Sequence, residues 1–300
     1  MVNHQHMSSW SDIAVQISAS IGTPFVVERI SSISGGCINQ TYCIEGGSHR
    51  FFVKLNNVTS ISMFEAEATG LQEIKNSHTL RVPTPVCWGR SETNAWLVLE
   101  YIEMDNTSRS GSAALGTGLA TMHRISFEKF GWTQNNTIGS TPQINEFSSD
   151  WIQFWRKYRL GYQLQLAQTN GYTRKLQKQG EFLMMELDAF FPGTPLIASL
   201  LHGDLWNGNY SFDSMGHPIL FDPAVYYGDR ETDLAMTELF GGFSTTFYAA
   251  YREAYPLDSG YTTRKTLYNL YHILNHLNLF GKSYLYQAEQ MMSKLLAEIH

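Results

Sequence analysis

Apolar residues recur at helical spacing through residues 9–20, at Trp10, Ile13, Ala14 and Ile17, with Ser11 or Asp12 as a cap, and Gly22-Thr23-Pro24 ends the run. Three β-branched or aromatic runs follow at 25–31, 37–44 and 51–55. Ser34-Gly35-Gly36 links the first two, and Glu45-Gly46-Gly47-Ser48 reads as the turn of a hairpin between the second and third. Residues 63–75 return to a helical period through Phe64, Ala68, Leu71 and Ile74. After the Val82-Pro83-Thr84-Pro85 break, two more strands are expected at 86–89 and 95–101. The first third of the chain therefore predicts a five-stranded sheet with a helix.

Beyond a polar, turn-rich stretch at 104–111 the pattern turns helical. Helices are expected at 113–123, 151–168 (capped by Ser149 or Asp150), 174–190, 240–255, 263–280 and 283–300, with another starting near Asp233. Residues 127–145 carry no helical period and are rich in Gly, Asn and Thr, so they read as a loop placed to line a substrate entrance. The expected architecture is α+β in two lobes, 1–103 and 104–300, the second mainly helical. There are no internal repeats or low-complexity segments.

Composition removes several function classes. The 300 residues, 43% of them hydrophobic, suffice for two lobes with a core. The net charge of −6 and the scatter of basic residues argue against a nucleic-acid or anionic-membrane partner. No apolar stretch is long enough to span a bilayer, and residues 1–12 lack the pattern of a secretory leader. Cys37, Cys43 and Cys87 are too few for a disulfide framework and lack metal-site spacing, which points to a reducing, cytoplasmic setting.

The chemistry concentrates in His202-Gly203-Asp204, followed by Asn209 and, after a short apolar run, Asp222. A kinase needs one carboxylate to orient an attacking hydroxyl and accept its proton. It also needs an amide oxygen and a second carboxylate to hold Mg²⁺ on the phosphates. The Asp-to-Asn spacing of five residues and a strand ending in Asp meet that requirement. This makes Asp204 the candidate base and Asn209 and Asp222 the candidate metal ligands. Asp204 needs no raised pKa for a task that is largely orientation.

Lys54 ends the strand Phe51-Phe52-Val53-Lys54, as a lysine contacting the α- and β-phosphates of ATP does. Taken alone it is equally a lysine snorkelling from a strand end. Glu67 on the next helix is the favoured ion-pair partner, with Glu65 the alternative. Gly35 and Gly36 lie in a run whose free amides suit phosphate oxygens, although neither GxGxxG nor GxxxxGK[ST] is present and a plain hairpin turn explains such a pair as well. Glu100, Tyr101 and Ile102 fall where a linker between lobes would offer backbone groups to adenine. His123 reads as a packed or helix-end histidine. Asp233 reads either as a helix-start carboxylate or as the acceptor for amides around His202 and Gly203. Cys37, in a Gly-rich and amide-lined loop, is a candidate redox-sensitive thiol that would join two chains through Cys37–Cys37, while a buried strand-start cysteine is the plainer alternative.

HGDLWNGN at 202–209, FDPAVYYGDRETDLAM at 221–236 and FGGFSTTFYAAY at 240–251 make the chain resemble the fructosamine-3-kinase and ribulosamine-3-kinase family. So do Gly35-Gly36-Cys37-Ile38-Asn39, Phe52-Val53-Lys54, MFEAE at 63–67 and FGWTQNNTIGSTPQINEFSSDW at 130–151. His-Gly-Asp alone would indicate only the wider aminoglycoside- and choline-kinase-like group. The resemblance covers nearly the whole chain and implies a protein-kinase-like, aminoglycoside-phosphotransferase-like fold. It implies ATP- and Mg²⁺-dependent phosphorylation of the 3-hydroxyl of ketosamines on glycated proteins or free glycated amines. The phosphorylated product sheds its sugar, so the activity is deglycation. By the matched positions Asp204 is the base, Asn209 and Asp222 hold Mg²⁺, Lys54 and Glu67 order the phosphates, residues 100–102 hold adenine and Trp206 packs on the sugar. The one departure is Ser-Gly-Gly-Cys in the first loop, where a third Gly is common.

Two other readings stand beside this one. A kinase of the same fold acting on an aminoglycoside, choline or another amino alcohol is permitted, because function lives in the site rather than the fold. A catalytically inactive nucleotide-binding protein would have lost at least one of Lys54, Asp204, Asn209 and Asp222, and all four are present.

Overall fold

Five strands, β1 (Arg29–Ser32), β2 (Gln40–Gly46), β3 (His49–Asn57), β4 (Pro85–Arg90) and β5 (Asn94–Glu100), pair antiparallel in the order β1-β2-β3-β5-β4. Gly46 pairs with His49, so only Gly47 and Ser48 join β2 to β3. A loop that short needs a positive φ, which Gly47 supplies at +58°. This computed structural model describes residues 4–34, 38–105, 111–193 and 196–299.

The pleat of β3 separates structure from chemistry. Phe51, Val53 and Leu55 join Trp96 and Val98 of β5 in a core closed by Ile13 and Ile17 of α1 (His4–Ile21). Residues one step along a strand face the other way, so Lys54 turns to the opposite side. That side carries α2 (Ile61–Asn76), which buries Phe64, Ala68, Leu71 and Ile74, the residues whose spacing predicted it. The first strand begins at Arg29 and not at residue 25: the Phe25 amide donates to Ser18 Oγ of α1 at 2.8 Å, so this stretch is tied to the helix before it reaches the sheet.

The chain divides into two compact units, the described residues of Met1–Arg109 with Ser211–Phe221, and of Ser110–Tyr210 with Asp222–His300. A cut after residue 103 misses the return of 211–221 to the first unit. Leu220 N–H donates to Arg81 O at 2.9 Å, Asp105 N–H donates to Phe212 O at 2.8 Å, and Arg81 Nη1 meets Asp213 Oδ2 at 3.1 Å.

The second unit is built on α3 (Ser112–Met122), α4 (Trp151–Trp155), α5 (Tyr162–Thr169), α6 (Lys175–Met185), α7 (Glu231–Leu239), α8 (Thr245–Ala254), α9 (Tyr261–Phe280) and α10 (Leu285–Ile299). α9 is buried on most of its circumference, including Leu267, Tyr268, Leu270, Tyr271, Ile273, Leu274 and Leu277, which marks it as the central helix. α3 and α8 meet at Gly116, where a Cβ would lie 2.4 Å from Phe247 O. Two helices expected to be continuous are interrupted. Between α4 and α5 the chain makes a π turn over Arg156–Gly161, and a Cβ on Gly161 would lie 2.5 Å from Arg156 O. α8 starts at Thr245 and not at residue 240, because Gly241 and Gly242 take φ of +91° and +73° and Ser244 caps the new helix. The run expected at 174–190 ends as α6 at Met185 and resumes as a 3₁₀ turn, Leu187–Phe190.

Residues 127–145 do not form an exposed loop. Asn136–Ile138 pairs with Thr141–Gln143, and Phe130, Trp132, Asn136, Ile138, Gln143 and Asn145 are buried. Ser126–Phe127 pairs with Ala198–Leu201, which pairs in turn with Tyr226–Gly228. Much of the run therefore belongs to the interior of the second unit, with the Asn136, Gln143 and Asn145 amides satisfied by protein, and the expected entrance lining is corrected accordingly.

Candidate active site

In the first unit Lys54 Nζ lies 2.6 Å from Glu67 Oε1, with the side chains 4% and 10% exposed. β3 turns the lysine toward α2, and α2 carries the carboxylate in its second turn. Glu65 is exposed on that helix. Glu100 ends β5, donates its N–H to Thr84 O at 2.8 Å, and holds Arg81 Nη2 at 3.0 Å. Tyr101 lies under the Arg50 guanidinium at 4.2 Å, and Ile102 is buried. Gly35, Gly36 and Cys37 lie outside the described residues.

In the second unit the strand Ala198–Leu201 delivers His202-Gly203-Asp204. Gly203 takes φ +83°, and a Cβ there would stand 2.0 Å from Ala224 O, so the position excludes every side chain. Ala224 N–H donates to His202 O at 2.8 Å, which locks the two segments together. Asp233, in the first turn of α7, accepts the His202 N–H at 2.7 Å and the Gly203 N–H at 2.9 Å. His123 Nε2 lies 3.1 Å from the same carboxylate and its Nδ1 is 2.8 Å from Tyr251 Oη. Burial pushes the Asp233 carboxyl up, but the hydrogen bond and charge of His123, the charge of His202 and the Gly203 amide together hold it below the usual range. His123 is thus a fully buried packing histidine that anchors the loop carboxylate.

Asp204 is half-buried and donates its backbone N–H to His202 Nδ1 at 3.2 Å. Asn209 Nδ2 donates to Asp204 O at 2.8 Å and to Oδ2 at 3.2 Å. The structure thus brings the two residues together as their spacing predicted. Burial, followed by the nearby Asp222 charge, pushes the Asp204 carboxyl up to about 7 against the Asn209 hydrogen bond. The sequence called for no such shift; it arises because the fold buries the carboxyl and sets Asp222 near it.

Asp222 is exposed and takes φ +55°, in the left-handed region, immediately before Pro223. Asp222 offers a carboxylate, and Asn209, whose nitrogen is committed to Asp204, offers an amide oxygen; both are the hard-oxygen donor types that could hold Mg²⁺. No group of three His, Cys, Asp or Glu among the described residues could hold a metal ion. Two protein ligands suit an ion that fills its remaining positions with phosphate oxygens and water.

Trp206 is 37% exposed, with its ring edge-on to Phe240 at 6.3 Å. A Cβ on Gly208 would lie 2.3 Å from Trp206 Cη2, so Gly208 is the floor on which the indole rests. The interior amides Asn136 and Gln143, which reach the backbone beyond Asp222, escaped the sequence reading. No periodicity over 136–145 announces them, because their acceptors lie some eighty to ninety positions away in the chain.

The profile of the fructosamine kinase family matches residues 9–298. This chain belongs to the fructosamine kinase family. A probable ketoamine kinase of Synechocystis sp. is 44% identical over 293 residues, covering 96% of this chain and 97% of that protein. The chloroplastic protein-ribulosamine 3-kinase of Oryza sativa subsp. japonica is 42% identical over 273 residues, covering 90% and 79%. A crystal structure from Haemophilus somnus 129PT assigned as a fructosamine-3-kinase superposes with a TM-score of 0.89 at 27% identity, over 96% of this chain and 97% of that one. A choline kinase of Streptococcus pneumoniae superposes with a TM-score of 0.62 at 16% identity, over 98% and 99%, which establishes a shared fold.

The fructosamine kinase assignment settles the fold as protein-kinase-like, with mixed helix and sheet and a five-stranded antiparallel first sheet. It also settles the reaction class: the protein is a kinase, a phosphotransferase acting on a hydroxyl. Among the described residues no helix is long and apolar enough to cross a membrane.

Proposed function

We propose that this kinase transfers the γ-phosphoryl group of ATP to the 3-hydroxyl of ketosamines, ribulosamine or fructosamine, carried on protein amines or free amines in the cytoplasm. The observation that carries the reading is the Asp204–Asn209 contact, with an Asp222 charge near enough to perturb Asp204 and an exposed Trp206 two residues on. Asp204 orients the sugar hydroxyl and takes its proton as the oxygen bonds to phosphorus and ADP leaves. Lys54, fixed by Glu67, holds the α- and β-phosphates. Asn209 and Asp222 would hold a Mg²⁺ ion, which would supply charge neutralisation on the phosphates. Glu100, Tyr101 and Ile102 bound the adenine position, and Gly35 and Gly36 cover the phosphates. His202 and Asp233 keep the catalytic loop in shape. Trp206 offers a flat apolar face to the sugar ring. The 3-phosphate product is unstable and sheds the sugar, which returns the free amine.

A panel of ribulosyl-, erythrulosyl- and fructosyl-lysine, with choline and an aminoglycoside as competitors in class, tests this directly by ADP release. The expected outcome is Mg²⁺-dependent turnover of ketosamines alone. Turnover confined to choline or the aminoglycoside overturns the substrate assignment.

The oxidised dimer through Cys37 rests on the sequence alone. Under oxidant, non-reducing electrophoresis is expected to show a dimer band that Cys37→Ser lacks; identical monomer bands reject it.

A further inference from the structure

The run 130–145 carries a chain of buried side-chain amides that ends on the backbone just past Asp222. Asn136 Nδ2 donates to Val225 O at 2.8 Å, and Gln143 Nε2 donates to Ala224 O at 3.2 Å and to Asn136 Oδ1 at 2.8 Å. Asn145 Nδ2 donates to the same Asn136 oxygen at 2.9 Å. Behind Asn145 stands Arg159, on the π turn, which donates from Nη2 to Asn145 Oδ1 at 2.8 Å and from Nη1 to Ile144 O at 2.7 Å. Behind Gln143 stands the Tyr271 hydroxyl of α9, donating to Oε1 at 2.8 Å.

Direction is imposed from the far end. Arginine has donors only, so Asn145 must present its oxygen to Arg159 and its nitrogen to Asn136. Asn136 then presents its oxygen inward and its nitrogen to Val225. Gln143 is set by two acceptors, the Ala224 carbonyl and the Asn136 oxygen, which take its nitrogen and leave its oxygen to the Tyr271 hydroxyl. The result is two donors fixed on two consecutive carbonyls, two and three residues after Asp222. Arg159 is fully buried, its Nη atoms donate to carbonyl and amide oxygens, and its guanidinium lies over the faces of Tyr226 at 4.1 Å and Phe154 at 4.7 Å. Burying a cation among neutral groups is costly, and apolar packing would suit stability better. An expensive network that terminates beside a left-handed aspartate has a purpose other than packing. Ala224 is held on three sides, by Gln143 at its oxygen, by His202 at its nitrogen and by the absence of a side chain on Gly203. Pro223, whose own φ is fixed by its ring, is the one residue between Ala224 and Asp222.

We propose that Gln143 and Asn136, aligned by Tyr271 and Arg159, are positioning residues that hold Asp222 in its left-handed conformation and so set its affinity for the nucleotide-bound cation. This rests on the assignment of Asp222 as a metal ligand. Outer partners that orient a metal ligand are worth about 10–100-fold in affinity.

The test is Mn²⁺ binding in the presence of ADP, read from the EPR signal of free Mn²⁺, in wild type, Gln143→Met, Gln143→Glu and Asp222→Asn. Gln143→Met keeps the volume without the donor. Gln143→Glu keeps the shape and the acceptor for Tyr271, and is the variant to read if the first does not fold. The expected result is Mn²⁺ affinity about tenfold weaker in the Gln143 variants, with KM for the ketosamine unchanged. Asp222→Asn is expected to lose more. Loss in Asp222→Asn with wild-type affinity in the Gln143 variants overturns the positioning role alone. Wild-type affinity in Asp222→Asn overturns the metal assignment, and the positioning role with it. A uniform loss of ketosamine and Mn²⁺ affinity in the Gln143 variants marks a merely structural residue and also overturns it.

Discussion

Asp204→Asn is expected to lower ketosamine phosphorylation by roughly 10²–10⁴-fold, the range for losing a positioned proton acceptor. ADP affinity should stay near the wild-type value. Asparagine keeps the shape of the side chain and an oxygen for the Asn209 amide, which donates to Asp204 Oδ2 at 3.2 Å. It removes the ability to accept the hydroxyl proton. It also removes a carboxyl that burial, followed by the nearby Asp222 charge, pushes up to about 7. The unfolding midpoint should therefore hold or rise. The combined signature of lost turnover, retained nucleotide binding and undiminished stability distinguishes a group spent on chemistry from one spent on the fold. Retained turnover removes Asp204 from its role. A lowered midpoint with weakened ADP binding makes it a structural residue.

What the chain discloses about itself follows the range of each interaction. The Asp204–Asn209 contact spans five residues, and its reach could be read from spacing. The Lys54–Glu67 pair spans thirteen, but strand period and helix period each fix the side on which a residue emerges, so the pair was legible too. The amides of 127–145 were not. Asn136 answers a carbonyl at Val225, eighty-nine positions away, and nothing local to a polar run reveals that acceptors wait for it in the interior. The association of 211–221 with the first unit depends on Arg81, 132 positions before Asp213. The π turn at Arg156–Gly161 escaped for a related reason. A wide turn and a regular one share the same apolar stripe, and the choice is made where Arg159 must reach Asn145. Local rules therefore recovered the five-stranded sheet, most of the helices and the short-range contacts of the candidate site, while the framework behind Asp222 is written in long-range hydrogen bonds.

Lys54→Met is expected to destabilise the protein by about 3–5 kcal/mol, the cost of removing one partner from a buried ion pair. The side chains are 4% and 10% exposed, so water cannot replace the lost cation at Glu67. The same substitution should lower kcat/KM for ATP by roughly a hundredfold or more, because charge placed on the transferring phosphates in a dry site is a large term. Instability alone would mimic part of that loss, so the double variant Lys54→Met/Glu67→Leu decides between them. Replacing both charges by apolar groups of similar volume is often neutral for stability. The double variant should therefore unfold near the wild-type midpoint in urea or heat yet remain as inactive as Lys54→Met. Recovery of turnover along with stability would sink the phosphate-binding role and leave the pair as a strut between β3 and α2. Failure to recover stability would mean that the contact carries more than two charges, with the surrounding side chains of β3 and α2 packed around the ion pair itself.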